Sequence, residues 1–383
     1  MIFGEFCDVF PPELDGVGTV VKNYATYLSG SEDTAYFITP RADDPIGNRP
    51  FPLLFFRSIA MPGEPYRVGL PAFDRDFKRT VDEMRFDVVH AHSPFGAGRA
   101  ARRVARRQGI PLVATFHSKY YDDFLAKTHS KLLAKLATRI VVDFYHTCDE
   151  VWAVNEPTAE VLRSYGYRGR LRVMPNGTDP WQPTGTADER IRELFGDAEG
   201  PLFLFVGQHN WKKNIRTVLD AVALYRKEAP CRMLFVGQGP DRDAIVAYAE
   251  ELGLSDVTRF LGHLSGREEL MELYAAADLF LFPSIYDNAP MVVREAAAAG
   301  TPSVLVRGSC AAADTVAGQN AFHCDDSPES LAATIKEALP RAREVGERAR
   351  LEVPRPWPSI LADVRTRYLE LIEEKKAKDV KNT

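Results

Sequence analysis

Two carboxylates eight positions apart, Asp287 and Glu295, bracket the segment "DNAPMVVRE". The apolar run "LFLFPS" before it reads as a strand ending at Ser284. The stretch from about Ala289 to Ala299, closed by Gly300 and Pro302, predicts a helix with Pro290 at its first position. The leading N–H groups of such a helix and its positive dipole end suit a phosphate. Asp287, just outside the helix, and Glu295, about a turn and a half inside, can each accept hydrogen bonds from vicinal hydroxyls. The combination fits a ligand built as diol–diphosphate–diol. The same residues also read as turn formers before a helix, Asp287 with Asn288, and a solvated helical glutamate.

Other glycine and lysine positions repeat the pattern. In "FLFVGQHNWKKNI", Gly207 ends a strand, and Lys213 precedes a helix opening at Asn214, where a point charge can neutralise a diphosphate. "FVGQGP" places Gly237 and Gly239 after a second strand, leaving the backbone room for a close ligand, and "DGVGTVVKNYA" places Gly16 and Gly18 at an N-terminal turn. Each glycine turn is also explained by packing alone. His117 ends the strand "PLVATFH" and is expected to emerge at a site. His90 and His92 in "VVHAHS" read equally as core or loop residues, and His209 as a border of the phosphate loop.

The elements that must position these groups alternate between short apolar runs and helix-period segments. The strands are "DVVHAHS", "PLVATFHS", "EVWAVNE" and "LRVMPNG", then "LFLFVGQH", "RMLFVGQG", "LFLFPS" and "PSVLVRG". Helices are predicted over 17–29, 97–108, 124–147, 214–227, 240–252, 267–276 and 290–299. This alternation predicts an α/β chain of parallel sheets covered on both faces. A chain of 383 residues is long for one core. The strand series restarts after "NGTDPWQPTGTADER", so two doubly wound, Rossmann-like domains are expected, with a cleft at the carboxyl ends of their strands. The divisions are a first domain over 1–178, a second over 179–355, and a C-terminal segment over 356–383. That segment is a helix over about 357–377 with a frayed tail.

A net charge of −5 argues against wholesale nucleic-acid binding. Five cysteines, widely spaced and without a CxxC pair, form neither a disulfide framework nor a zinc site and suit a reducing cytoplasm. The N-terminal residues do not read as a signal peptide, and no run approaches the roughly 20 apolar residues of a membrane span. The stretch from Arg85 to Arg172 nevertheless carries 15 basic side chains against 8 acidic ones. Within it "FLAKTHSKLLAKLATRIV" spaces Lys127, Lys131, Lys135 and Arg139 four apart, with Leu132, Leu133, Leu136 and Ile140 on another face. Arg99, Arg102, Arg103, Arg106 and Arg107 make a second basic face. The first pattern fits a helix lying on anionic lipid. It fits equally a solvated charged face over a buried apolar stripe.

The ordered motifs "DGVG" (15–18), "ATFHS" (114–118), "MPNGTD" (174–179), "VGQHNWKKN" (206–214), "VGQGP" (236–240), "FLGHL" (260–264) and "DNAPMVVRE" (287–295), followed by Trp357, span nearly the whole chain. Together they resemble the retaining, nucleotide-sugar-dependent glycosyltransferases of family 4, which have the GT-B fold. The resemblance implies that Lys213 binds the donor diphosphate, Asp287 the sugar hydroxyls and Glu295 the ribose. Met291 and Val292 would offer backbone N–H groups to the donor. Gly207, Gln208, Gly237, Gly239 and His263 would line the donor site, with Gly16, Val17 and Gly18 closing it from the first domain. His117 would face the reacting sugar or acceptor, and the last helix would cross back onto the first domain.

The implied reaction is a front-face hexosyl transfer, from a donor of UDP-glucose or GDP-mannose type, that needs neither metal nor cofactor. The implied acceptor is a glycan or lipid-linked hydroxyl, and the implied location is cytoplasmic, peripheral on the inner face of a membrane. Two departures stand out: Gln208 where the family has arginine, and Asp287 where it has glutamate. The first keeps open a catalytically degenerate nucleotide-sugar binder. A nucleotide-sugar epimerase or a phosphorylase of the same architecture fits the ordered motifs less well.

Overall fold

Runs such as Leu202–Val206 and Leu279–Leu281 have no polar interruption, so a strand made from them must be covered on both faces, and every residue of each is buried. The computed structural model describes residues 1–9, 16–30, 32–41, 49–60, 67–185, 187–264 and 266–382. The chain divides into two compact units, Met1–Asn176 with Trp357–Thr383, and Gly177–Pro356.

In the first unit the order is β1 (Ile2–Phe6), α1 (Gly16–Leu28), β2 (Thr34–Pro40), β3 (Leu53–Phe56), β4 (Ser58–Ala60), β5 (Arg67–Gly69), α2 (Arg75–Glu83) and β6 (Val88–Ala91). Then come α3 (Gly96–Gln108), β7 (Leu112–Phe116), α4 (Tyr120–Thr128), α5 (Lys131–Tyr145), β8 (Glu150–Ala153), α6 (Glu156–Ser164) and β9 (Leu171–Val173). Its main sheet runs β3-β2-β1-β6-β7-β8-β9 with every pairing parallel, and β4 and β5 form a separate antiparallel pair. The strand order reverses between β1 and β6, where folds of this type bind ligands beyond the carboxyl ends of their strands.

The second unit contains α7 (Ala187–Phe195), β10 (Leu202–Val206), α8 (Ile215–Arg226), β11 (Arg232–Val236), α9 (Arg242–Glu251), β12 (Thr258–Phe260) and α10 (Arg267–Ala276). It continues with β13 (Leu279–Leu281), α11 (Met291–Ala298), β14 (Ser303–Val306), β15 (Phe322–Cys324), α12 (Pro328–Ala338) and α13 (Ala342–Glu352). Its parallel sheet runs β12-β11-β10-β13-β14-β15, so the reversal lies between β10 and β13.

The last helix, α14 (Trp357–Asn382), belongs to the first unit. Its Tyr368 ring stacks on Trp152 at 5.5 Å and lies 5.3 Å from Phe3. Its buried Arg367 grips the equally buried Glu150 of β8, at 3.0 Å from Nε to Oε1 and 2.8 Å from Nη2 to Oε2. The helix expected over about 357–377 runs on to Asn382.

Three other expectations change in detail. The helix foreseen over 124–147 is two, broken at His129 (φ 52°), with the Ser130 side chain capping α5 by accepting from the Leu133 N–H. Pro290 is the residue before α11 rather than its first turn, with an extended ψ of 126°. The stripe Leu132, Leu133, Leu136 and Ile140 is not buried: these side chains are 77%, 51%, 57% and 54% exposed, and α5 packs instead through Ala134, Thr138, Val141, Val142, Phe144 and Tyr145.

Candidate active site

In the second unit, the loops after β10 and β13 meet beside the reversal of the sheet. Gly207 (φ 154°) ends β10, and a short 3-10 turn over Trp211–Lys213 follows. Asn210 caps that turn through the Lys212 N–H, and Asn214, itself left-handed at φ 61°, starts α8. The Asn214 amide donates to the Pro283 carbonyl at 3.1 Å and so ties this loop to the end of β13. Lys213 is thereby brought to Asp287: its ammonium donates to Oδ1, while the Ser284 hydroxyl donates to Oδ2 at 2.6 Å. Both side chains are largely buried, at 17% and 15% exposure. The Tyr286 ring lies under both Lys212 and Lys213. A cation and an anionic acceptor therefore stand side by side ahead of α11.

The other residues expected here are placed as follows. Met291 and Val292 are the first residues of α11, where backbone N–H groups have no partner within the helix. Glu295 is half-buried on the same helix, 3.7 Å from Arg267; burial raises its pKa and Arg267 opposes that shift. Gln208 and His263 are exposed on the loops after β10 and β12. Gly237 and Gly239 serve packing: a Cβ would sit 2.0 Å from the Gly207 carbonyl and 2.4 Å from that of His209. The close neighbour is the Gly207–His209 backbone, which corrects the expectation that these glycines leave space for a ligand. His209 is fully buried against Phe235 and Phe260, and burial holds its pKa down at about 4.

In the first unit, strand periodicity collects a second group of side chains. β1 and β6 pair Glu5 with His90, and residues two apart on a strand share a face. His90 and His92 therefore stand together with Glu5, joined by Thr115 and His117 from β7. His92 Nε2 lies 2.9 Å from Glu5 Oε2, and His92 Nδ1 lies 3.2 Å from His117 Nε2. His90 Nδ1 lies 2.6 Å from the Tyr368 hydroxyl of α14 and His90 Nε2 2.7 Å from Thr115 Oγ1. Tyr368 also donates to Glu5 Oε1 at 3.2 Å.

Burial dominates the electrostatics. It pushes the Glu5 carboxyl up to about 8, lowers His92 to about 3, and holds His90 and His117 well below the usual histidine range. Glu5, His90 and His92 bring one donor atom each within 4.8 Å of one another, a spacing a metal ion could use. Each is already hydrogen-bonded within the cluster, and nothing about the group calls for an ion.

His117 was anticipated at the end of its strand. Glu5 and Tyr368 were not, and the alternation H-A-H and T-F-H was the one available signal. Gly16, Val17 and Gly18 form the first turn of α1, whose Tyr24 ring meets His92 edge-on at 5.1 Å; Asp15 of the same motif lies outside the described residues. A Cβ at Gly16 would meet no atom within 4 Å.

Residues 14–182 match the family described as Glycosyltransferase Family 4, and residues 187–351 match Glycosyl transferases group 1. Solved structures with the same fold include sucrose-phosphate synthase from Thermosynechococcus elongatus, with a TM-score of 0.81, 20% identity, and coverage of 97% of this chain and 99% of that one. Anabaena HepE, solved with UDP-glucose, matches with a TM-score of 0.75 at 18% identity, covering 98% of this chain and 100% of that one. The chain is a GT-B glycosyltransferase of family 4-like type.

Among curated relatives, this glycosyltransferase is 26% identical over 317 residues to the alpha-monoglucosyldiacylglycerol synthase of Streptococcus pneumoniae, covering 79% of this chain and 70% of that protein. The synthase of the same name from Acholeplasma laidlawii is 26% identical over 332 residues, with 80% of each chain covered. Among the described residues of the glycosyltransferase, no helix is long and apolar enough to cross a membrane.

Proposed function

We propose that the protein transfers a hexose, with retention, from a nucleoside-diphosphate sugar of UDP-glucose type to a hydroxyl of a membrane lipid. The observation that carries the donor half is the Lys213–Asp287 pair ahead of α11. A diphosphate arriving there replaces Asp287 as the partner of Lys213, and the released carboxylate accepts from sugar hydroxyls. The N–H groups of Met291 and Val292 take further phosphate oxygens, and Glu295 takes the ribose diol. UDP-glucose bound to the similarly folded HepE supports this choice over GDP-mannose.

In the chemical step the acceptor oxygen bonds to the anomeric carbon as the bond to the phosphate oxygen breaks on the same face. The acceptor proton passes to the departing phosphate. Lys213 and the helix end stabilise the charge that develops, so no metal ion is needed. His117 contacts the acceptor or the reacting sugar. Gln208 supplies a hydrogen-bond donor but no charge at the position where the family has arginine.

The acceptor half rests on α5. Leu132, Leu133, Leu136 and Ile140 are exposed, and Lys127, Lys131, Lys135 and Arg139 are exposed near them. An apolar stripe beside a basic one suits insertion at the headgroup level of an anionic bilayer. The glycolipid-synthase names of the two relatives point to the same acceptor class. We therefore read the protein as bound peripherally to a membrane, on its cytoplasmic face.

The test is a donor screen by nucleotide release: UDP-glucose, UDP-galactose, UDP-N-acetylglucosamine, GDP-mannose and ADP-glucose, each with and without vesicles of lipid extract. Release from UDP-glucose that needs vesicles and is lost in Lys213→Ala supports the proposal. Saturable binding with no release from any donor would establish the degenerate binder instead.

A further inference from the structure

A pocket opens in the first unit between α2, α3 and the short 3-10 turn Pro71–Phe73 that follows β5. Its local cause is side-chain size. On α2, Phe77 and Val81 stand four apart and share a face; across the pocket on α3 are Gly96 and Ala100, also four apart and too small to fill the gap. Leu70 and Pro71 complete an apolar wall. The volume left is about 190 Å³, against the ~150 Å³ of an apolar hole that takes a benzene ring. About six chain carbons therefore fit.

The surroundings of the pocket say what occupies it. Lys78, Arg99 and Arg103 line it together with the apolar wall. Arg103 is bonded to Asp82 at 2.9 and 2.6 Å, and Lys78 spends one N–H on the Ala72 carbonyl at 2.9 Å. Arg99 is exposed; its charge acts on the buried Asp8, whose oxygens accept from the Ser93 hydroxyl and the Ala97 N–H. Positive charge thus remains beside the pocket after Asp82 is counted. Phe73, which lines the pocket, is 73% exposed, and Ile59 and Val68, paired across β4 and β5 next to Gly69, are exposed as well. Phe95, the neighbour of Gly96, meets Tyr120 of α4 edge-on at 5.6 Å, so the pocket adjoins the helix that leads into α5. An apolar hole among exposed apolar side chains and cations suits one lipid molecule, with a chain inside and a phosphate outside.

We infer that this pocket takes one acyl chain of an anionic phospholipid drawn from the bilayer, its phosphate held by Lys78 and Arg99. The site differs from the α5 surface, which answers to the charge and apolar depth of a whole bilayer. A lipid held here attaches the first unit at a second point, so the unit cannot roll about α5. The inference rests on the membrane part of the functional reading for the source of the lipid, and it requires no sugar transfer.

The experiment uses the full chain and single-chain phosphatidylglycerols from butanoyl to decanoyl, each below its micelle concentration, titrated by calorimetry. Affinity should rise about fourfold per added CH2 up to about six carbons and then level off. The choline analogue, which has no net charge, should bind roughly tenfold more weakly, and glycerol phosphate without a chain should show no saturation. Ala100→Leu fills the pocket and should abolish the dependence on chain length while the affinity for UDP is unchanged. If that variant misfolds, Arg99→Glu at its exposed position decides, by removing the preference for the anionic head. A phosphatidylglycerol with a diazirine at the end of a hexanoyl chain, carried in vesicles, should cross-link to residues 70–78 and 96–103. Label confined to α4 and α5, or affinity that climbs evenly through decanoyl, overturns the inference. No sugar donor enters these measurements. Failure of the donor screen therefore leaves a positive result standing, and an active transferase labelled only on α5 refutes the pocket alone.

Discussion

Replacing Glu5 by glutamine exchanges one oxygen for an NH2 group at constant size, in a pocket where the carboxyl is fully buried. The amide oxygen can accept from Tyr368, and the NH2 group can donate to His92, as the neutral acid does. What changes is linkage to pH. In the native unit Glu5 keeps its proton up to about pH 8, whereas an unfolded glutamate loses it near 4.5. The folded chain therefore binds the extra proton, and this group's contribution to stability falls as pH rises through that window. His90, His92 and His117 act in the opposite sense: they are held neutral, so stability is lost as pH falls below their ordinary value of 6.5. The histidines also gain stability over the lower part of the range from pH 6.5 to 8, as their unfolded counterparts lose the last of their protons, but they do so equally in wild type and variant. At about 1.4 kcal/mol per pH unit, the wild-type first unit should therefore fall by roughly 1.5–2 kcal/mol relative to Glu5→Gln over that interval. Hydrogen exchange of amides in β1, β6 and β7, resolved by mass spectrometry, reads the unit separately from the rest of the chain. Parallel pH profiles for wild type and variant between 6.5 and 8 would refute the reasoning.

Three further outcomes follow from the same contacts. Glu150→Ala removes the buried partner of Arg367 on α14 and leaves it only Glu370 and Glu374 of its own helix; it should destabilise the first unit by about 2–3 kcal/mol, read as a lower urea midpoint. Gly237→Ala forces a Cβ onto the Gly207 carbonyl at a left-handed φ of 132°; it should cost about 2 kcal/mol or more in thermal or urea unfolding and disturb the loop carrying Lys213. Replacing Leu132 and Leu136 together by serine removes exposed apolar surface from α5. It should weaken binding to anionic vesicles by roughly tenfold or more, with the fold and the solution affinity for UDP unchanged, as measured by flotation and calorimetry.

The parallel sheets were legible because runs such as "LFLFV" and "LFLF" are apolar without alternation, which only a strand covered on both faces tolerates. β1 to β5, β12 and β15 were not foreseen: "IFGEF", "TRF" and "FHC" mix polar or small residues into short runs, and the apolar "LLFF" is only four residues long. The break between α4 and α5 had no glycine or proline to announce it; His129 takes the left-handed conformation, and Ser130 was the only capping signal. Periodicity also showed that α5 has two stripes without saying which one faces in. The small and branched residues Ala134, Thr138 and Val141 pack against the unit while the leucines do not.

The Lys213–Asp287 site was readable because loop residues of distinctive chemistry follow recognisable strands. The Glu5 cluster was not: an acid inside a five-residue strand acquires meaning only from His90 and His92, some 85 positions on, and from Tyr368 near the other end of the chain. Such pairings are made by the order of strands in the sheet and by the docking of α14, and local sequence does not encode them.

The most direct test of the central claim is transfer of labelled glucose from UDP-glucose into lipid, using purified protein, anionic vesicles containing diacylglycerol, and EDTA throughout. The account predicts an α-linked glucolipid that forms with EDTA present, falls by about 10²–10³ in Lys213→Ala, and declines when Leu132 and Leu136 are serine. A β-linked product, a requirement for divalent metal, or label transferred only to water-soluble acceptors would contradict it.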